Sequence, residues 1–328
     1  MRNILASTTR QWNPGDELIL HGVQKILAPR VGDANWMIMD RNPDILLQAQ
    51  CRGNSWRGEA LPQGKFHLAV FAGTPEWFGW AVGLMTREIL ERNIPCLYLG
   101  VGASGVPIPF TADDRECLKR ARLVVCRDPN AASELLKLNV PSTTLPCPGI
   151  FSATKPVLRK SSAVVKVGVV FQVHQTPYQD IEPELLAEVS ELIDTLSKKY
   201  QVELVCHYKD EYLHALRNPE WEKLPVRYSW EARDYPNIYH RYDAVVSTRV
   251  HGAVVAASCG VPALMVRYNN FRASGICWMF PEMRVKVSEV AARLEAMNPM
   301  QESERLVSLR YDTWNRYQAA LDEVSLWP

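Results

Sequence analysis

The sequence has little that would give a function away at once. Neither sign of charge is in excess: 37 basic residues against 36 acidic ones leave a net charge of +1. That balance argues against nucleic acid or an anionic membrane as the main partner, while leaving room for a local basic pocket. The eight cysteines form no CxxC pair and no zinc-ligand spacing. Cys96, Cys126 and Cys206 sit in apolar runs, as small core residues do. A reducing compartment follows. No window approaches the ~20 apolar residues of a membrane span. The opening stretch MRNILASTTRQWNPGDE lacks the apolar centre of a signal peptide, so a cytoplasmic location is expected. HExxH, the P-loop and GxSxG are missing. No cluster of histidines and carboxylates has metal-ligand spacing, so neither a metal nor a resident cofactor is expected.

What is present is an alternation. The chain has 328 residues, 47% hydrophobic and 22% charged, which is ordinary for a globular protein and suits two domains. Short apolar runs read as strands at Arg2–Ala6, Trp36–Met39, Leu68–Ala72, Cys96–Leu99, Leu123–Cys126 and Thr143–Leu145. Helical patterns lie between them near Glu17–Leu27, Trp77–Glu91, Ala112–Lys119 and Asn130–Leu138. The polar, basic stretch SATKPVLRKSSA, Ser152 to Ala163, reads as a linker.

The alternation then restarts. Strands are expected at Lys166–Phe171, Val202–His207, Val226–Tyr228, Ala244–Ser247, Ala263–Val266 and Arg284–Val287. Helices are expected at Pro183–Lys199, Glu211–Leu216, Pro236–Arg241, Val250–Cys259 and Ala273–Phe280, with a closing helix near Gln301–Val324. Strands apolar on both faces, alternating with helices, mean covered parallel sheets. The expected fold is α/β, two Rossmann-like domains facing across a cleft. Residues 1–155 form the first and 156–300 the second, and a closing helix over 301–328 can pack back on the first. A ligand belongs at the C-terminal ends of the strands.

One stretch breaks its own pattern. STRVHGAVVAASCGVP, Ser247 to Pro262, sets Arg249 and His251 in a small, apolar run between two buried strands. Both residues fall at a strand-to-helix turn. A helix start offers unpaired N–H groups and a partial positive charge to an anion. Arginine adds a planar fork for carboxylate or phosphate, and histidine can carry a proton near neutrality. The opposing reading pairs Arg249 with a structural acid and lets His251 cap a carbonyl.

Other strand ends are weaker candidates. QWNPGDELIL places Asn13, Gly15 and Asp16 at a turn into the first helix; FAGTPEW places Gly73, Thr74 and Trp77 at another. GVGASG, around Gly102, matches GxGxxG, but VPIPF follows. Its two prolines oppose the helix that a dinucleotide site requires, and a cleft loop is the better reading. VCRDPN ends a strand with Arg127, and CHYKDEY ends one with His207 and Asp210.

In order along the chain, NPGDELIL, FAGTPEW, YLGVGASG, CRDPNAASELL, CHYKDEY and above all YDAVVSTRVHGAVVAASCGVPALMVRY resemble the polysaccharide pyruvyl transferase family. The last block carries the family's aspartate, variable strand, Arg-x-His and Gly-x-Pro pattern. The resemblance implies a GT-B-like fold. It implies transfer of a pyruvyl group from phosphoenolpyruvate, the co-substrate, to a sugar or polysaccharide precursor, lipid-linked or free, for the cell envelope. On that reading His251, Asp210 and His207 are catalytic. Arg249, Arg127, Gly252, Tyr268 and Arg272 bind the donor. Asn13, Gly15, Asp16, Gly73, Thr74, Trp77 and Gly102 face the acceptor. The chain departs from the family where CPGIF replaces an aspartate-proline and where Arg272 stands one place beyond an expected lysine. Two alternatives stay open: a glycosyltransferase using a nucleotide sugar on the same fold, and a non-catalytic binding protein with a decayed site. The chain says nothing of oligomeric state.

Overall fold

Strands that are apolar on both sides must be covered on both sides. The computed structural model meets this with two parallel sheets whose strands alternate with helices. It describes residues 1–8, 14–40, 64–73, 79–103, 110–176, 179–180, 183–266, 280 and 284–327. Internal packing divides the chain into two units. The first comprises Met1–Trp12, Asp16–Phe151 and Asp312–Pro328; the second comprises Asn13–Gly15 and Ser152–Tyr311. The last helix, Pro299–Asp322, divides between them.

In the first unit the strands are β1 (Asn3–Thr8), β2 (Asn35–Asp40), β3 (Leu68–Ala72), β4 (Cys96–Val101), β5 (Leu123–Cys126) and β6 (Thr143–Thr144). Among the described residues they pair in the order β2-β1-β3-β4-β5-β6, all parallel. Leu5, Phe71, Tyr98 and Val124 belong to the core beneath, where the Phe71 and Tyr98 rings stack 4.2 Å apart. Helix starts follow local chemistry. Thr111 and Asp114 form a reciprocal capping box ahead of Ala112–Arg120. Asp128 Oδ1 accepts from the Ala131 N–H at 2.8 Å to cap Pro129–Lys137.

The second unit contains β7 (Lys166–Val170), a hairpin of β8 (His174–Thr176) and β9 (Gln179–Asp180), then β10 (Gln201–Val205), β11 (Val226–Arg227), β12 (Ala244–Ser247), β13 (Ala263–Val266) and β14 (Arg284–Val285). The main sheet runs β11-β10-β7-β12-β13-β14, again all parallel. Counted along the chain, that order is 3-2-1-4-5-6. It reverses between β7 and β12, which marks the ends of those two strands as the place for a ligand.

Most expected elements are present within a residue or two. The hairpin and the helix Val290–Ala296 were not expected. β10 stops at Val205, short of His207, and the next helix starts at Lys209, not Glu211. The expected helix at Ala273–Phe280 falls almost wholly outside the described residues. The stretch Ser152 to Ala163 is no free linker. Its Val157 N–H donates to Cys259 O at 2.9 Å, and Arg159 Nη1 donates to the carbonyls of His240 and Tyr242 at 2.9 and 3.1 Å. Its arginine finds backbone acceptors, so basic composition here anchors the segment to the second unit.

Candidate functional site

β12 ends where the second sheet reverses its order. Ser247 Oγ donates to the Arg249 carbonyl at 2.7 Å and accepts from the Arg249 N–H at 3.0 Å, which fixes the turn. Arg249 is then the extended N-cap of the helix Val250–Ser258. A Cβ at Gly252 would overlap the Ser247 hydroxyl and lie 3.0 Å from Val170 Cγ1. Glycine therefore lets the first helical turn press onto the sheet. A helix start of this kind turns N–H groups and a partial positive charge towards an anion.

The Arg249 side chain is only 13% exposed, and it is not an open fork. Its Nε donates to Glu211 Oε1 at 2.5 Å, and Nη2 donates to the same oxygen. Its guanidinium carbon lies 4.0 Å from the centre of the Tyr208 ring. The expectation of a guanidinium gripping substrate with its whole fork is thus corrected: one edge is held by an internal acid. Burial works against the Arg249 charge, and Glu211 and Tyr208 outweigh it.

Glu211 is fully buried, in the first turn of the helix Lys209–Arg217. Its second oxygen accepts from the N–H groups of His207 and Tyr208 at 2.7 and 3.0 Å. Burial pushes its carboxyl up, while Arg249 and those two N–H groups pull it down. One carboxylate therefore fixes both the strand exit after β10 and the arginine after β12.

His251 follows in the first turn of its helix, half-buried. A Cβ at Gly15 would overlap its imidazole, so a glycine is needed there. The structure thus brings together Gly15 and His251, which the sequence could not connect. His207 is 2% exposed; its Nε2 lies 2.7 Å from the Tyr239 hydroxyl and its ring packs edge-on against Tyr235. Burial, then the nearby Arg249 and His251, push its pKa well down, so it stays neutral at physiological pH. Asp210 is exposed on the same first turn, and the acid that meets Arg249 is its neighbour Glu211.

Arg127, Gly102, Asp16 and Gly73 belong to the first unit. Arg127 is buried at the end of β5, where its guanidinium fills the space a Cβ on Gly102 would take. It lowers the pKa values of Asp128 and Cys147, against the larger effect of burial. Asp16 lies in the first turn of the helix Pro14–Val31. Gly73 follows β3 with a positive φ of 84°. Asn13, Thr74, Trp77, Tyr268 and Arg272 lie outside the described residues. No group of three or more histidine, cysteine or carboxylate side chains among the described residues could hold a metal ion. Among the described residues, too, no helix is long and apolar enough to cross a membrane.

Glu211 and Tyr208 are the residues that sequence reasoning missed. Both lie in CHYKDEY. The available signal was an acid three places after the helix cap, the second half of a capping box. A tyrosine in the cap position hid it.

The fold is of GT-B type, as the solved structures that align with it show. A UDP co-structure of MnaA from S. aureus aligns with a TM-score of 0.55 at 12% identity, covering 99% of each chain. UDP-GlcNAc 2-epimerase from Neisseria meningitidis, bound to UDP-GlcNAc, gives 0.53 at 12% identity over 95% of this chain and 100% of that one. The enzyme from Methanocaldococcus jannaschii, in complex with UDP-GlcNAc and UDP, gives 0.55 at 10% over 95% and 100%. At such identities the likeness is one of fold. A search of curated proteins found no match. The family profile "Polysaccharide pyruvyl transferase" matches residues 13–270, a span that takes in both the Gly15 turn and the Arg249–His251 turn. The chain belongs to the polysaccharide pyruvyl transferase family, a family of transferases.

Proposed function

We propose that this protein transfers the pyruvyl group of phosphoenolpyruvate to two hydroxyls of one sugar in a glycan or glycan precursor, forming a cyclic ketal in the cytoplasm. The observation that carries the reading is the pair Arg249 and His251 at the turn after β12, where the strand order of the second sheet reverses. The donor's methylene carbon takes a proton and the adjacent carbon becomes oxocarbenium-like. A sugar hydroxyl adds there and phosphate leaves as its C–O bond breaks. A second hydroxyl closes the ring. Of the two hydroxyl protons lost, one replaces the proton given to the methylene and the other departs with phosphate.

The residues divide this work. Glu211 neutralises Arg249 and aims its guanidinium for a substrate oxyanion. Because the pair is nearly neutral overall, the pull on the anion comes from the helix start. His251 is the acid–base group. His207, sealed and neutral, leaves the expected catalytic set and supports Tyr239 instead.

The experiment is direct. Purified protein, phosphoenolpyruvate and candidate sugars are incubated, with phosphate release and the ketal methyl resonance as readouts. Ketal formation is expected, and Arg249→Lys, which keeps charge but loses the two-bonded grip on Glu211, lowers kcat/KM about a hundredfold. Transfer of a sugar from a nucleotide sugar, with no ketal formed, overturns the reading.

A further inference from the structure

The rings around Arg249 do not end at Tyr208. Tyr212 lies one turn further along the helix Lys209–Arg217, and its N–H donates to Tyr208 O at 3.1 Å. Tyr212 stacks on Tyr228, just after β11, with centroids 5.1 Å apart and planes within 18°. Tyr228 meets Trp230 edge-on at 5.7 Å. The three tyrosines are half-buried, and Trp230 is 55% exposed. Aromatic faces thus continue from the candidate site along the C-terminal ends of β10 and β11, ending on an open tryptophan.

We propose that Tyr212, Tyr228 and Trp230 form a stacking platform for sugar rings of the glycan acceptor beyond the ring that receives the pyruvyl group. The chemistry on the page favours a neutral, hydroxyl-rich ligand over a phosphorylated one. Glu211 is bound to Arg249, Glu231 to Arg233 and Glu203 to Arg227; beside the rings the described residues then set Lys209 against Asp210 and Asp234, with Arg217 at the far end of its helix. A phosphate would find no cationic cluster here. Pyranose C–H faces lie well on aromatic rings, and carboxylates accept from sugar hydroxyls. Trp230 is flanked by such acceptors, since Asp234 Oδ2 already takes the Ser229 hydroxyl at 2.7 Å. The proposal rests on the reading that the chain acts on a glycan, and adds an extended subsite to it.

The test uses the full chain and Trp230→Ala, which removes an exposed side chain and spares the core. Mono- to tetrasaccharides on a glycan array select a binder, and its length series is titrated by calorimetry without phosphoenolpyruvate. Wild type is expected to bind the tetrasaccharide more tightly than the monosaccharide. Trp230→Ala should collapse that preference by about threefold to tenfold, and Trp230→Phe should restore part of it. An array without a binder, or a length preference unchanged in Trp230→Ala, overturns the platform. So does a Trp230→Ala effect that falls on uridine diphosphate instead, which would assign the rings to a base. If the preference collapses as expected while phosphoenolpyruvate yields no ketal, the platform stands and the pyruvyl reading falls.

Discussion

Two buried glutamates in the second unit have opposite surroundings. Glu203, on β10, meets Lys166 Nζ at 2.6 Å, Arg227 Nε at 2.8 Å, Arg241 Nη2 at 3.6 Å and the Tyr242 hydroxyl at 3.1 Å. Glu211 has one cation, Arg249, and two backbone N–H groups. The first carboxyl is held at about 2: burial opposes ionisation, and Arg227, Lys166 and Tyr242 prevail. The second is pushed up by burial, which its partners only counter. Several partly solvated cations around one acid make a stabilising knot. A single cation in a dry place makes a geometric constraint, whose cost in desolvation roughly cancels its attraction. The difference separates a charge cluster that steadies the fold from one that shapes the candidate site.

The comparison can be broken at four points of decreasing size. Glu211→Ala should act most strongly, because it leaves Arg249 buried without its acid and removes acceptors from two N–H groups. A loss of about 3–5 kcal/mol in denaturant unfolding is expected; a loss below 1 kcal/mol would mean that the arginine had re-solvated. Glu203→Gln should cost about 2 kcal/mol at pH 7, solvent at Arg227 and Arg241 weakening the full linkage value. A depressed carboxyl adds stability that is present above its ordinary value of 4.5 and is lost as pH falls towards 2. The gap between wild type and Glu203→Gln should therefore close over that window, and a gap constant with pH would refute the assignment. His207 works in the same direction at a higher pH. Its lowered pKa favours the fold above 6.5, and that contribution is lost as pH falls below 6.5. The acid limb of the wild-type stability curve should accordingly begin near pH 6.5, before Glu203 titrates. Tyr242→Phe removes one hydrogen bond from the Glu203 knot and should cost about 1 kcal/mol, read from the same unfolding curves.

How much of this was legible in the sequence follows from the range of each interaction. The sheets were, because Leu68–Ala72 and Ala244–Ser247 are apolar on both faces and helices separate such runs. The turn at Arg249 and His251 was, because two polar side chains stood where a core run should continue. Glu211 was not: its bond to Arg249 spans 38 positions, and no local pattern encodes a pairing between two different strand ends. The contact of Gly15 with His251 was hidden for the same reason, as was the stacking of Tyr212 on Tyr228. The stretch after Ser152 misled because lysine and arginine look like solvent-facing residues until their carbonyl acceptors are seen.

The buried pair at 211 and 249 has a consequence for how such chains diverge. Losing either charge alone strands the other, whereas replacing both with well-packed apolar side chains would leave stability about where it was. Selection for folding alone would let the two positions drift together into the hydrophobic core. If the proposed chemistry at the turn is what retains them, relatives that keep the reaction keep acid and guanidinium side by side, and relatives that have lost it are free to lose both.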